Sequence, residues 1–304
     1  MTALETDILA AQVTLLLVGF AYAAVSDLRT REVTDRLWQV LGVGGLLLGL
    51  GAVAPGGALP VVLWILVGVL VLEHMVPWDE WLGSRFERFA NAVDLAAYVG
   101  VAGVLGLAVA RFGLGASGVP VPVVAVYVVV VFARVLFEAG VLYGAADAKA
   151  IMVAGVVLPI VSVTLLPIPS TAEHGLALLP FAFNVLMNAA VAAVAVPVAI
   201  ALMNVRRGEF RGLRAFTGYT IPVGELPHRF VWVRDPTFAP KDEAEPETSE
   251  EDQALRTEIA RELEAKGVER VWVTPQLPFV VLIAVGSVLA LLAGNLVLDL
   301  LAVL

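Results

Sequence analysis

The sequence predicts an all-α polytopic membrane protein with about eight transmembrane helices and a small soluble α+β insert before the last helix. Of its 304 residues, 60% are hydrophobic and 15% are charged, whereas a soluble domain carries roughly 25% charged residues. Apolar runs long enough to cross a hydrocarbon core of about 30 Å recur along the chain. Near the C-terminus, one strongly charged stretch with short alternating segments interrupts them.

Eight apolar segments are the predicted spans, each bounded by charged or turn-forming residues. They cover residues 8–26, 38–54, 60–76, 92–112, 121–142, 147–167, 176–203 and about 277–304. The first run is long and no small-residue cleavage site follows it, so we expect an uncleaved span. Residues 77–91 mix charges with Trp78 and Trp81, which is typical of an interfacial segment.

The soluble insert is predicted from an abrupt change in composition after the seventh span. The stretch VWVRDPTF at 231–238 alternates as a short strand does, and VERVWVTP at 268–275 predicts a second strand that pairs with residues 230–233. Residues 241–266 are strongly acidic, and their second half has helical periodicity. Three parts follow: a transmembrane body at 1–204, a cytoplasmic insert at 205–275 and a last transmembrane helix at 276–304.

The placement of basic residues predicts the orientation in the membrane. With the N-terminus outside, the inner loops hold most of the basic residues, namely Arg29, Arg31, Arg36, Arg85, Arg88, Lys149 and the arginines between 206 and 214. In this orientation Asp27 ends the first span and Asp147 begins the sixth on the same face of the cell membrane. The two carboxylates are therefore expected to meet at the cytoplasmic face.

Composition also narrows the possible chemistry. The chain has no cysteine, which excludes disulfides, thiolate metal ligands and a cysteine nucleophile. Its three histidines, His74, His174 and His228, are too widely spaced for a zinc motif. We expect no metal, no cofactor and no nucleic-acid partner.

Two carboxylates on one face suit peptide hydrolysis. An ionised carboxylate activates water while a protonated carboxyl polarises the peptide carbonyl, and two adjacent carboxyls share a proton because both do not ionise cheaply. Gly144, Ala145 and Ala146 keep side chains away from the approach to Asp147, so a substrate backbone can come close. The structural alternative is that Asp147 caps a helix. Lys149 either positions the site or extends its amine to the interface.

Two stretches resemble signatures of the type IV prepilin and preflagellin peptidases. The stretch SDLRTREVTD at 26–35 resembles their first-aspartate signature, and YGAADAKA at 143–150 resembles their Gly-x-Gly-Asp box with its following lysine. The resemblance implies a membrane aspartic endopeptidase that removes short basic leader peptides from pilin-like or flagellin-like precursors at the cytoplasmic face. It implies these roles: Asp27 and Asp147 as the catalytic pair, Gly144, Ala145 and Ala146 as the backbone platform, and Lys149, Arg29 and Arg31 as supporting residues.

The chain departs from the family pattern in three ways. Ala146 replaces the second glycine, which is similar to the archaeal preflagellin branch. The bacterial branch has paired cysteines and methylates its product, whereas this chain has no cysteine and we expect no methyl transfer. Residues 60–112 add two spans to the usual six of the archaeal members. An even number of added spans keeps Asp147 on the same face.

Other intramembrane charges favour an alternative, an ion- or proton-coupled transporter. They are Glu73, Asp94, Arg134, Glu138 and Asp299. Arg134 and Glu138 are four residues apart, so they are expected to pair along one helix face. A presenilin-type protease is a third possibility, but its Tyr-Asp and Pro-Ala-Leu motifs are missing. The acidic run at 242–251 is either a solvated face or an attraction for basic leader peptides.

Overall fold

The computed structural model describes residues 2–75, 87–115, 117–142, 144–160, 179–233 and 249–303. Trp78 and Trp81 of the predicted interfacial segment lie outside these ranges, as do Tyr143 and most of the acidic run at 242–251. The described α-helices are α1 (Ala3–Thr30), α2 (Asp35–Val53), α3 (Ala58–Met75), α4 (Glu87–Phe112), α5 (Val121–Glu138), α6 (Ala145–Val157), α7 (Phe181–Arg206), α8 (Ser249–Ala265), α9 (Phe279–Ala293) and α10 (Leu296–Val303).

Within the described ranges, six helical segments are long and apolar enough to cross a membrane. They are Ala3–Thr30, Asp35–Gly56, Ala58–Met75, Val93–Phe112, Val121–Glu138 and Phe181–Arg206. These helices match the first five predicted spans and the seventh. The protein is therefore mostly helical, as predicted, and its apolar helices are those of a membrane protein.

The sixth predicted span differs in length from its prediction. Helix α6 has 13 residues, which at 1.5 Å per residue is about 20 Å, and it ends at Val157. Leu158 has a non-helical backbone (φ −130°, ψ 83°) because the proline that follows disfavours helical geometry at the preceding residue. The apolar run continues beyond this point, so hydropathy alone extends the predicted span to residue 167.

The last predicted span is two helices. Helix α9 ends at Ala293, Gly294 follows with φ +81°, and Asn295 accepts a hydrogen bond from the N–H of Leu298 at 3.1 Å, which is the geometry of a helix N-cap. Asn188 of α7 bonds to both sides of the break, donating to the Gly294 carbonyl at 2.7 Å and accepting from the Leu296 N–H at 3.0 Å. These bonds satisfy backbone groups that an apolar environment would otherwise leave without partners.

The chain forms two compact units. The first comprises residues 1–28, 33–191 and 279–304, and the second comprises 29–32 and 192–278. In the first unit α6 is the central helix, since its residues from Ile151 to Val157 are all buried. A helix that is apolar on every side is expected in such a position.

Glycines let the neighbouring helices approach α6 closely. A Cβ built on Gly45 of α2 would lie 2.9 Å from Cγ2 of Val157, and the Cβ of an alanine at Gly155 would lie 2.7 Å from Cγ1 of Val129 in α5. Small residues at such crossings are typical of helices packed in a bilayer. Helices α2 and α5 are consequently each packed tightly against α6.

The second unit contains a three-stranded antiparallel sheet of β1 (Tyr219–Pro222), β2 (Val231–Val233) and β3 (Arg270–Pro275) in the order β1-β3-β2. The register between β2 and β3 pairs Val231 with Pro275 and Val233 with Val273. The predicted pairing of residues 230–233 with the VERVWVTP stretch is thereby confirmed. Helix α8 contributes Ala260 and Leu263 to the apolar core behind the sheet, which confirms the predicted helix in the second half of 241–266.

Candidate active site

Asp27 lies on the buried face of α1, near the end of that helix. The residues that α1 buries recur at helical spacing and include Leu16, Phe20, Ala23 and Asp27. The Phe20 ring meets Trp38 of α2 edge to face, with 6.2 Å between the centroids. Only 7% of the surface of Asp27 is exposed. An aspartate placed in the same row as apolar contact residues is directed toward the interior of the unit, where an unpaired charge is costly.

Asp147 lies in the first turn of α6, at the entrance to the most buried helix of the unit. Gly144 precedes the helix with an extended backbone (φ −102°, ψ 132°), and its carbonyl accepts the N–H of Asp147 at 3.0 Å. The backbone N–H of Gly144 donates in return to the Asp147 carboxylate. Asp27 is close enough for its charge to act on the Asp147 carboxyl. The two aspartates of the predicted pair therefore lie within electrostatic range of each other.

Gly144 has a steric role beside the Asp147 carboxylate. A Cβ at position 144 would lie 3.2 Å from Oδ2 of Asp147, closer than carbon and oxygen normally approach. Of the other two residues in the predicted platform, Ala145 is exposed and Ala146 packs against the core. Glycine at 144 therefore leaves the carboxylate room to keep its position on α6.

Lys149 makes an ion pair with Asp35, the first residue of α2. Its Nζ lies 2.5 Å from Oδ1 of Asp35, and its side chain is only 16% exposed. The lysine amine is therefore held within the unit, in agreement with a positioning role. Asp35 closes the first signature stretch, but no role was predicted for it, because 114 residues separate it from Lys149.

The two arginines of the predicted supporting set belong to the second unit. Arg29 is exposed in the last turn of α1. Arg31 follows that helix with φ +60°, a conformation in which a non-glycine residue is uncommon. Its guanidinium lies 5.0 Å from the centroid of the Phe230 ring, and that of Arg256 lies 5.3 Å from the same centroid. Both guanidinium groups are within cation–π range of this ring.

A second group of ionisable side chains joins α3, α4 and α5. Nε2 of His74 is hydrogen-bonded to the Tyr98 hydroxyl at 2.7 Å, and Nδ1 lies 2.5 Å from Oε2 of Glu73 as an ion-pair contact. The carboxyls of Glu73 and Asp94 are hydrogen-bonded to each other. Arg134 also joins this group, with Nη2 3.9 Å from Asp94. We call these five residues the α3–α5 polar cluster.

The predicted pair of Arg134 and Glu138 is confirmed, since Nε lies 2.8 Å from Oε1. This contact extends from the α3–α5 polar cluster to the end of α5. Across the described ranges, no three side chains of His, Asp or Glu are grouped as metal ligands.

Residues 212–296 match the family model described as Archaeal Peptidase A24 C-terminus Type II. The matched segment contains the three strands, α8 and α9, and it includes neither Asp27 nor Asp147. The match is therefore independent of the two signature stretches, and it supports the archaeal prepilin and preflagellin peptidase family that those stretches resemble. It supports a peptidase of the A24 type. No curated protein matches the chain.

Proposed function

We propose, proceeding from that family, that the protein is a membrane aspartic endopeptidase that removes the short basic leader from type IV pilin-like or archaeal flagellin-like precursors. The observation that carries the proposal is that Asp27, which is almost fully buried, lies within electrostatic range of Asp147, which is half-buried. Proximity of two carboxyls is the requirement of the aspartic mechanism, and the match of residues 212–296 to an A24 peptidase segment supports a peptidase function independently.

In the proposed mechanism the pair holds one proton between its two carboxyls. The ionised carboxylate takes a proton from water, whose oxygen forms a bond to the scissile carbonyl carbon, while the protonated carboxyl donates to the carbonyl oxygen. Collapse of the tetrahedral intermediate breaks the C–N bond, and the leaving amine takes a proton from the pair. In this mechanism the proton belongs to the pair and is not assigned to either residue.

The substrate is tested with membranes that contain the protein and a panel of tagged precursors. Pilin-like and flagellin-like precursors with intact basic leaders are expected to lose the leader, which is read as a shift in mass. Matched precursors whose leader lysines and arginines are replaced by glutamine report whether the positive charge is recognised. If none of the precursors in the panel is shortened, the proposed activity is contradicted.

We place the active site at the cytoplasmic face with the N-terminus outside, and single cysteines test this orientation. Thr30→Cys, at the end of α1, is expected to react only with a membrane-permeant thiol reagent in intact cells. Ser117→Cys, between α4 and α5, is expected to react with an impermeant reagent as well. Both positions are exposed, and the native chain has no cysteine to compete. If the impermeant reagent labels position 30 in intact cells, the orientation is the opposite of the one proposed.

The α3–α5 polar cluster favours the second candidate function, a transporter that moves ions or protons. Ionisable side chains among membrane helices are costly and commonly mark ion or proton pathways. In this cluster, however, the carboxyls of Glu73 and Asp94 bond each other, and His74, Tyr98 and Arg134 complete the group. Such mutual pairing gives the cluster a structural role in joining three helices.

We expect Glu73→Gln combined with Asp94→Asn to leave the rate of leader cleavage within about threefold of wild type. The N–H group of an amide can donate the hydrogen bond that a protonated carboxyl donates in the Glu73–Asp94 pair. The contact between α3 and α4 is therefore expected to remain. The measurement is the initial rate of precursor cleavage per amount of inserted protein. A transporter would respond differently, because these two acids would then matter at least as much as Asp27 and Asp147.

A further inference from the structure

We propose that Asp35 is a positioning residue of the active site and that it acts through Lys149 to fix Asp147. The inference rests on the proposed peptidase function and assigns a role to a carboxylate outside the catalytic pair. The juxtaposition that carries it is the contact between Nζ of Lys149 and Oδ1 of Asp35 at 2.5 Å.

The ion pair joins the two signature stretches across the unit. Asp35 begins α2 eight residues after Asp27, and Lys149 lies in α6 two residues after Asp147. One bond consequently links the two segments that carry the catalytic carboxyls. Rotation or axial sliding of the first turns of α6 would move Lys149 and Asp147 together, so a fixed amine limits the movement of the carboxylate.

The α2 end of the contact is anchored. Trp38, one turn after Asp35, is fully buried and meets the Phe20 ring of α1. Helix α2 also packs closely on α6 through Gly45. Asp35 therefore projects from a helix that is held on both sides, and its carboxylate provides a fixed point for the lysine.

The burial of Lys149 separates this pair from an ordinary surface ion pair. Exposed pairs contribute little because water screens them and their side chains lose entropy. The Lys149 side chain is only 16% exposed, so loss of Asp35 would leave a mostly buried cation without its partner. The lysine would then be expected to move toward water or toward the neighbouring Asp147, and either movement disturbs the catalytic pair.

The test uses the purified full-length enzyme and a precursor that wild type cleaves. Asp35→Asn is expected to lower kcat by about 10- to 100-fold, as a displacement of about an ångström does at an active site, with KM within about twofold. Lys149→Gln is expected to give the same loss, and the double variant no more than either single change, because both remove one shared interaction. Asp35→Glu and Lys149→Arg keep the charges and are expected to retain more activity.

Glu225→Gln is the matched control. It removes a carboxylate from the pair with Arg229 at an exposure of 46%, against 44% for Asp35, and is expected to leave kcat unchanged. A merely stabilising ion pair would lower the yield of folded Asp35→Asn but not the kcat of the folded fraction, and that result would overturn the proposal. Multiplicative losses in the double variant would also overturn it. If Asp35→Asn does not fold, Lys149→Gln gives the same reading.

Failure of the positioning proposal is distinguishable from failure of the peptidase function. A wild-type protein that cleaves no precursor would contradict the function itself. Cleavage that requires Asp27 and Asp147 but is indifferent to Asp35 would leave the function intact and remove only the role assigned to Asp35.

Discussion

Asp27→Asn and Asp147→Asn are each expected to lower the rate of leader cleavage by about 1,000-fold or more while the protein still inserts in the membrane. General acid and general base assistance are each worth about 100- to 10,000-fold, and one remaining carboxyl does not supply both. Because the two groups act as a unit, the double variant is expected to be no slower than either single one. The rates are measured on membranes with equal amounts of inserted protein.

Asp7→Asn is the control for these variants. Asp7 lies on the same helix as Asp27 but is exposed near the N-terminus, so the same chemical change should leave cleavage at the wild-type rate. Near wild-type cleavage by either Asp27→Asn or Asp147→Asn would show that the pair is not the catalytic site.

Gly45→Leu is expected to separate α2 from α6 and to remove both stability and activity. The Cβ alone would lie 2.9 Å from Cγ2 and 3.1 Å from Cα of Val157, and a backbone atom does not give way as a flexible side chain does. Overpacking of this kind costs about 1–3 kcal/mol or more. Since α2 carries Asp35 and α6 carries Asp147, the remaining folded protein should also cleave more slowly. Thermal denaturation in detergent and the cleavage rate measure the two effects.

Gly103→Leu makes the same substitution where the described residues leave space. A Cβ at Gly103 meets no described atom within 4 Å, so this variant of α4 should keep both the denaturation temperature and the rate. If Gly45→Leu and Gly103→Leu lower the denaturation temperature and the cleavage rate equally, the α2–α6 contact is not the reason that Gly45 is required.

Local patterns predicted the parts of the fold that depend on neighbours in sequence. Alternation of apolar and polar residues predicted the pairing of β2 with β3, and a spacing of four residues predicted the contact between Arg134 and Glu138. Strand β1, which has four residues, is not predicted from the sequence. Its place beside β3 depends on a partner about fifty residues away.

Features that depend on contacts between residues distant in sequence are harder to predict. The excess of basic residues in alternate loops predicts the orientation of each span, and this orientation places Asp27 and Asp147 at the same membrane face. No such rule predicts which acidic residue pairs with Lys149. Any acidic residue near that face is a candidate, and the packing of α2 against α6 determines that it is Asp35. Hydropathy also does not predict where a helix ends within an apolar run. Helix α6 ends before Pro159 and α9 ends before Gly294, and the effect of these residues on the backbone is not part of a hydropathy value.

Catalysis by the aspartate pair is tested most directly by the mass of the products when the purified protein is incubated with a precursor that bears a basic leader. The proposed mechanism predicts two peptides, cut after the leader, whose masses sum to that of the precursor plus one water. Asp27→Asn and Asp147→Asn are expected to give no product. An intact precursor after incubation with folded wild-type protein, or equal products from wild type and both variants, would contradict the proposed mechanism.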